Sequence, residues 1–413
     1  MSMKGVILMF EGLDSIDWQH LTHAYGPATD VPDLIRALAS PEKSMRDQAL
    51  YELHGNIWHQ GTVYEATAYA VPFLIRLLTY ESVEDKAGIL ALLSCIAIGI
   101  SYLAVHGDLS FYDEKRDTPE FKAELARELV WVRRARQAVG EGLPVYLELL
   151  INPDAETRMF AVHLLSCFKE LAQESIPRLE LLLTREKDLQ VRATALISLG
   201  ALSEPGAPEL EHLRSYITTE KPPLLRFAAA LAVARCARKA TPPEAVRVHL
   251  DSVGEAETIE ELYGGLPWFG SVIPDVREAL VLIDPTLAIQ ALIDVLQTLD
   301  TGEDAWDVGE VAEALLDLAF YGKRVAKKWA YGGGKDGRVK LECWGYPGRE
   351  RQDATQQEIG AALAKSSALS FTEGQRTVLT ALVNYEPLWK IDTNLFEVYD
   401  LPNSREVLRK LLG

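Results

Sequence analysis

The sequence predicts an all-α fold, a right-handed α-α superhelix of stacked two-helix repeats closed at both ends by helical caps. Three observations predict it. A proline recurs at a fixed distance before a basic residue, small and aliphatic residues recur at helical spacing after that residue, and the basic residues themselves recur at steps of 34. A chain of 413 residues that repeats in this way extends its core by adding units rather than by thickening one layer.

Residues 1–30 read as the N-terminal cap, with Asp14-Ser15-Ile16-Asp17-Trp18 opening a short helix that closes at Gly26-Pro27. Repeats are expected over 31–242. Pro32 precedes Arg46, Pro72 precedes Lys86, Pro144 precedes Arg158 and Pro177 precedes Arg192, at spacings of 14, 14, 14 and 15. Each proline is expected near the start of a first helix, where its missing N–H removes no hydrogen bond.

After each basic residue a small or aliphatic side chain follows at plus three (Ala49, Ile89, Ala161, Ala195) and an aliphatic one at plus seven (Leu53, Leu93, Leu165, Leu199). Arg226, Ala229 and Val233 continue the series. Spacing of three, four and seven places these positions on one stripe of a second, buried helix. The basic positions 46, 86, 158, 192 and 226 are separated by 40, 72, 34 and 34 residues.

The pattern of a turn acid followed by Val/Thr-Arg, as in Asp154-Ala155-Glu156-Thr157-Arg158 and Asp188-Leu189-Gln190-Val191-Arg192, resembles the HEAT/armadillo-like repeat family and its bacterial phycobilin-lyase-like branch. The resemblance covers roughly 31–240. It implies that the turn acid and the arginine bond to neighbouring repeats, so that Arg46, Arg158, Arg192 and Arg226 form a structural ladder along the stack. The same register puts Cys95, Cys167 and Cys236 near the ends of second helices, as small buried spacers.

Two insertions interrupt the register, at 54–67 and at 104–120. The first, His54 to Thr67, is rich in hydrogen-bonding side chains; Gly55 and Gly61 bracket a loop, and Thr62 with Glu65 has the spacing of a capping box. Trp58, His59, Gln60, Tyr64 and Glu65 are the candidate binding residues, set against a reading in which the segment satisfies its own backbone and Trp58 fills the core. The 72-residue step holds either two repeats of about 36 or one degenerate repeat with a long loop, in which Phe111 and Tyr112 beside Asp108 and Asp113 form a contact element.

Degenerate acidic helical repeats are expected over 243–330, and a basic, glycine-rich crossing with a C-terminal helical cap over 331–413. Between 242 and 313 sixteen acidic residues stand against Arg247 and Arg277, a net of −14 in a chain of net −18, whereas 323–351 carries a net of +6. The capping box Ser370-Phe371-Thr372-Glu373 opens a helix through Asn384, and Asn403 is expected to cap a last one through Leu412. The segregated charge reads either as a solvated acidic face or as a groove that steers a basic protein partner.

A net charge of −18 argues against nucleic acid, whose binding rests on neutralised phosphates. No apolar run reaches membrane-spanning length, so no membrane role is expected, and the protein reads as cytoplasmic. Tyr331-Gly332-Gly333-Gly334-Lys335-Asp336 lacks the Ser/Thr of a phosphate loop, no His-Glu dipeptide occurs, and His20 with His23 lacks a third metal ligand. No catalytic set, metal or cofactor is therefore expected. The expected function is a non-enzymatic protein-binding scaffold, a monomer or weak dimer, in an immunity or antitoxin-like pairing with a basic protein. A lyase-like accessory or a small-ligand sensor at 54–67 is the alternative.

Overall fold

The computed structural model describes residues 8–106, 112, 115–218, 222–268, 270–299, 305–320, 370–390, 395–399 and 401–413. The basic segment 323–351, the glycine run 331–336, Cys343, residues 108, 111 and 113, and part of the acidic segment lie outside the described residues. Two compact units result. One holds the chain up to Glu204 with Gly265–Trp268, and the other holds Pro205–Gly264 and the described residues from 270 onward.

The helices of the first unit are α1 (Val31–Ala37), α2 (Lys43–Asn56), α3 (Thr67–Leu78), α4 (Lys86–Ala97), α5 (Tyr102–His106), α6 (Pro119–Gly140), α7 (Leu143–Leu149), α8 (Ala155–Ser166), α9 (Ala172–Arg185) and α10 (Leu189–Leu202). Two short hairpins interrupt them, β1 (Thr22–His23) with β2 (Gly26–Pro27), and β3 (Trp58–His59) with β4 (Thr62–Val63). Packed helix pairs with almost no sheet make this an all-α solenoid.

Three of the second helices, α4, α8 and α10, begin where the sequence supplies both a cap and a stripe. Asp85, Asp154 and Asp188 accept the free amides of the first turns of α4, α8 and α10, contacts worth about 1 kcal/mol each. Ala49, Leu53, Ile89, Leu93, Ala161, Leu165, Ala195, Leu199, Ala229 and Val233 are all no more than 2% exposed. Each buried Leu or Ile in that stripe stabilises by roughly 1.5–3 kcal/mol relative to exposure.

The 72-residue step contains no further inner helix among the described residues. Helix α4 packs directly on α8 as α8 does on α10, and the intervening chain adds α5 and α6, with α6 lying against α3 and α4. Thr118 caps α6, its hydroxyl accepting from the Phe121 amide at 3.2 Å.

In the first unit, local expectations differ from the structure at three places. Pro32 and Pro144 do occupy the first turns of α1 and α7, but Pro72 and Pro177 lie inside α3 and α9, which begin one turn earlier. Thr62 caps nothing: it lies in β4, and α3 begins at Thr67 because the Thr67 hydroxyl is tied to the preceding connector. The segment 14–27 is two 3-10 turns and a hairpin rather than one helix, since Gly12 and Gly26 adopt φ of +87° and +124°.

The second unit contains α11 (Glu209–Thr218), α12 (Pro223–Ala237), α13 (Pro243–Gly254), α14 (Ala256–Tyr263), α15 (Val272–Ile283), α16 (Pro285–Thr298), α17 (Ala305–Ala319), α18 (Glu373–Asn384) and α19 (Arg405–Leu412). Leu296, Leu315, Val378, Leu382 and Leu408 meet in one core. The C-terminal capping box is made by Thr372 with Gln375, and Ser404 rather than Asn403 caps α19.

Candidate functional site

The connector between α2 and α3 turns back on itself through Gln60 and Gly61, both at positive φ (47° and 92°). Two consecutive left-handed residues give the tight turn whose twist matches paired strands, and Trp58 and His59 accordingly face Val63 and Thr62 across the hairpin. Thr62 closes it from inside, its hydroxyl donating to the His59 carbonyl at 2.8 Å and lying 2.8 Å from the Tyr64 hydroxyl. The Thr67 hydroxyl donates to the Ile57 carbonyl at 2.5 Å and accepts from the Tyr64 amide at 2.9 Å.

A second two-residue hairpin precedes α1, pairing Thr22 with Pro27 and His23 with Gly26, with positive φ at Gly26 alone. The two are bonded to each other. The Ala24 amide donates to the Asn56 carbonyl and the Ala66 amide to the Thr22 carbonyl, both at 3.0 Å. A third layer follows, as the Val63 amide donates to Ile100 at 3.0 Å and the Ile100 amide to Gly61 at 2.9 Å. Successive connectors thus form a ridge along one edge of the unit, held by backbone bonds between residues about forty positions apart.

This ridge places the expected site residues as follows. His59, half-buried, donates from Nδ1 to the Gly55 carbonyl at 3.0 Å, and the Tyr25 hydroxyl lies 3.4 Å from the same nitrogen with the two rings edge to face at 5.5 Å. Glu65 accepts from the Thr22 hydroxyl at 3.4 Å. Gln60 is exposed at the turn. Tyr64 is half-buried, and burial first, then the nearby Tyr102, Glu128 and Tyr25, push its hydroxyl above the usual range against the opposing Thr62 bond. Trp58 packs edge-on to His54 at 5.7 Å, and burial holds His54 below its ordinary value.

Tyr25 and Tyr102 carry the exposed part of the edge, at 72% and 39%, and neither was singled out by periodicity. A signal for the first was present. His23-Ala24-Tyr25-Gly26 followed by Ala28-Thr29 and Val31-Pro32 parallels His59-Gln60-Gly61 followed by Ala66-Thr67 and Val71-Pro72, and Leu-Ile-Arg closes both. Behind the edge, Asp30 accepts from the Asn56 amide at 2.9 Å and lies 3.0 Å from His23 Nε2, fixing the first hairpin to α2.

Arg46 donates to the Ser40 and Pro41 carbonyls of its own turn, both at 2.9 Å, and reaches Glu84 at 2.7 Å. Arg158 repeats the arrangement, with Asn152 and Pro153 at 2.8 and 3.0 Å and a two-pronged contact to Glu186 at 2.7 and 3.0 Å. Arg192 lies on α10 and Arg226 on α12 at the equivalent positions. Arg136, outside the register, also spans connectors, donating to the Ala97 and Cys167 carbonyls and to Glu170.

Burial pushes the Cys95 and Cys167 thiols up to about 11 and about 12, the opposite of what a nucleophile needs. Among the described residues no cluster of three or more His, Cys, Asp or Glu side chains is placed to hold a metal. His20 and His23 turn to different acids, Asp17 and Asp30. No described helix is long and apolar enough to cross a membrane.

No curated protein matches the chain. A solved crystal structure described as an engineered protein, a target of the Northeast Structural Genomics Consortium, is 20% identical and covers 93% of this chain and 95% of its own, with a TM-score of 0.30. Residues 143–234 match the HEAT repeats family, the same span in which the two 34-residue steps fall.

Proposed function

We propose that this chain is a non-enzymatic protein-binding scaffold that holds its partner on the connector edge of the first unit. The observation that carries this reading is a row of aromatic and polar side chains, exposed Tyr25 and Tyr102 with half-buried His59 and Glu65, on a ridge held by backbone bonds. Tyrosine supplies contact area with two rotatable bonds, so it binds at low entropic cost when its backbone is already fixed. Stacked helix pairs add the extended surface that such scaffolds offer.

The partner class favoured is a basic protein, in an immunity or antitoxin-like pairing. A net charge of −18 supports it, as do Asp251, Glu255, Glu257 and Glu261, which are exposed on or beside α13 and α14 and make no ion pair among the described residues. Such a surface raises the association rate of a cation-rich protein and loses that advantage in salt.

The test is capture of a partner by the tagged full chain, its identification, and titration of that partner at low and high salt against a Tyr25→Ala/His59→Ala double variant. Binding lost in the double variant at an unchanged melting temperature is expected. Undiminished binding overturns the assignment of the edge.

A further inference from the structure

Glu128 of α6 is 7% exposed, and both of its hydrogen bonds fall on one oxygen. The Ser101 hydroxyl and the Leu103 amide donate to Oε2 at 2.7 and 2.8 Å. Among the described residues no cation pairs with it and no hydrogen bond falls on Oε1. A buried carboxylate normally has a cationic partner, because desolvation of a lone charge is costly. Here the surroundings are aromatic instead.

Tyr102 lies between the two residues that donate to Glu128, 39% exposed, with its ring stacked on His106 at 4.3 Å. The Tyr64 and Tyr112 phenols are near enough to the same carboxylate to be affected by its charge. Burial comes first in raising both hydroxyls, and Glu128 and Tyr102 add to it in each. A ring face is electron-rich, so tyrosines near a carboxylate add to its attraction for cations. Guanidinium suits such a surface better than ammonium. It is flat, stacks on rings, is more weakly hydrated and donates in a fork.

We propose that Glu128 and the tyrosines around it, Tyr102 foremost, receive an arginine side chain of the partner protein. The inference rests on the scaffold reading and specifies its partner, which must present an exposed arginine to the connector edge.

Ligand-observed NMR on the full chain tests it with three probes, N-acetyl-arginine amide, N-acetyl-lysine amide and N-acetyl-citrulline amide. Arginine is expected to bind, lysine more weakly, and citrulline, isosteric but uncharged, not at all. Glu128→Gln keeps an oxygen for Ser101 and Leu103 and should weaken arginine binding roughly tenfold or more. Tyr102→Ala should weaken it about two- to fivefold, with Tyr102→Phe close to the parent.

Equal binding of citrulline and arginine, stronger binding of lysine, or unchanged binding by Glu128→Gln overturns the proposal. If Glu128→Gln does not fold, unchanged arginine binding by Tyr102→Ala overturns it alone. Absent arginine binding, with partner capture still lost in the Tyr25→Ala/His59→Ala variant, removes this inference and leaves the scaffold reading standing. Arginine binding with capture indifferent to that double variant does the reverse.

Discussion

Helices α8 and α10 and the connectors 21–28 and 57–66 both hold one repeat to the next, by different physics. The helices do it with apolar stripes: Ala161, Leu165, Ala195 and Leu199 are fully buried, and any residue of similar size and hydrophobicity would serve. The connectors do it with individual polar groups, Asn56 to Asp30, and amide to carbonyl between Ala24 and Asn56 and between Ala66 and Thr22. Packing tolerates exchange but not loss of volume. Hydrogen-bonded turns tolerate loss of volume but not a change of backbone conformation. The solvent-facing side chains of the connectors are therefore free to vary with a partner while the backbone stays fixed.

The largest effect should come from the stripe. Leu199→Ala leaves a cavity in a fully buried position and should cost about 2–5 kcal/mol, read as a shift in urea midpoint at constant slope. An alanine at exposed Tyr25 should change stability by less than about 0.5 kcal/mol. A Tyr25→Ala loss comparable with that of Leu199→Ala would mean that the edge belongs to the core after all.

Acid should also act through two buried histidines. Burial holds His163 on α8 and His249 on α13 down to about 4, from an ordinary 6.5. Between those values the unfolded chain is protonated at both positions and the folded chain is not, so falling pH favours unfolding across that window, and the full stability is present only above it. By about pH 4.5 each histidine should have removed about 2–3 kcal/mol. Asp154 and Glu186, held below their ordinary values, add their loss only at lower pH. Denaturant titrations between neutral and acid pH, repeated with His163→Phe, check this, because the variant should lose the share that His163 contributes.

Between stripe and turn stand the arginines. Arg158 and Glu186 are 15% and 6% exposed, so Arg158→Ala strands a buried carboxylate and should cost about 2–4 kcal/mol. Glu84, the partner of Arg46, is 63% exposed, and Glu84→Ala should cost no more than about 1 kcal/mol. A Glu84→Ala cost as large as that of Arg158→Ala would show that the exposed Arg46–Glu84 pair holds its repeats as strongly as the buried one.

What was legible in the sequence follows the same division. The stripes and the placing of Cys95, Cys167 and Cys236 near the ends of second helices, the first two half-buried and the third buried, are consequences of position along one helix, and a periodicity of 3.6 reports them directly, whereas Asp154 and Asp188, expected to bond to neighbouring repeats, cap their own helices. The hairpins were not read. Their bonds join residues such as Ala24 and Asn56, or Gly61 and Ile100, that are brought together only by the stacking itself. His59, Tyr64 and Glu65 were found as a polar cluster, yet their actual neighbours, Tyr25, Thr62 and Thr22, come from another connector or from inside the turn. Thr62 and Glu65 had the spacing of a cap, and it was the positive φ of Gln60 and Gly61 that made a strand there instead.

The smallest effect isolates that turn. Gly61 at φ +92° has nothing within 4 Å of where a β-carbon would stand, so Gly61→Ala meets no clash and its cost is purely conformational, about 1 kcal/mol. Gln60 at φ 47° already bears a strain of the same origin, and asparagine, which tolerates the left-handed region, should relieve a few tenths of a kcal/mol in Gln60→Asn. Neither substitution touches the stripe, so both should leave the urea slope unaltered and move only the midpoint, in opposite directions. If Gly61→Ala instead abolishes partner capture while costing no more than that in stability, the conformation of the turn is what presents the edge. If capture survives, the neighbouring layers bonded to Gly61 and Val63 are sufficient to hold Tyr25 and His59 in place.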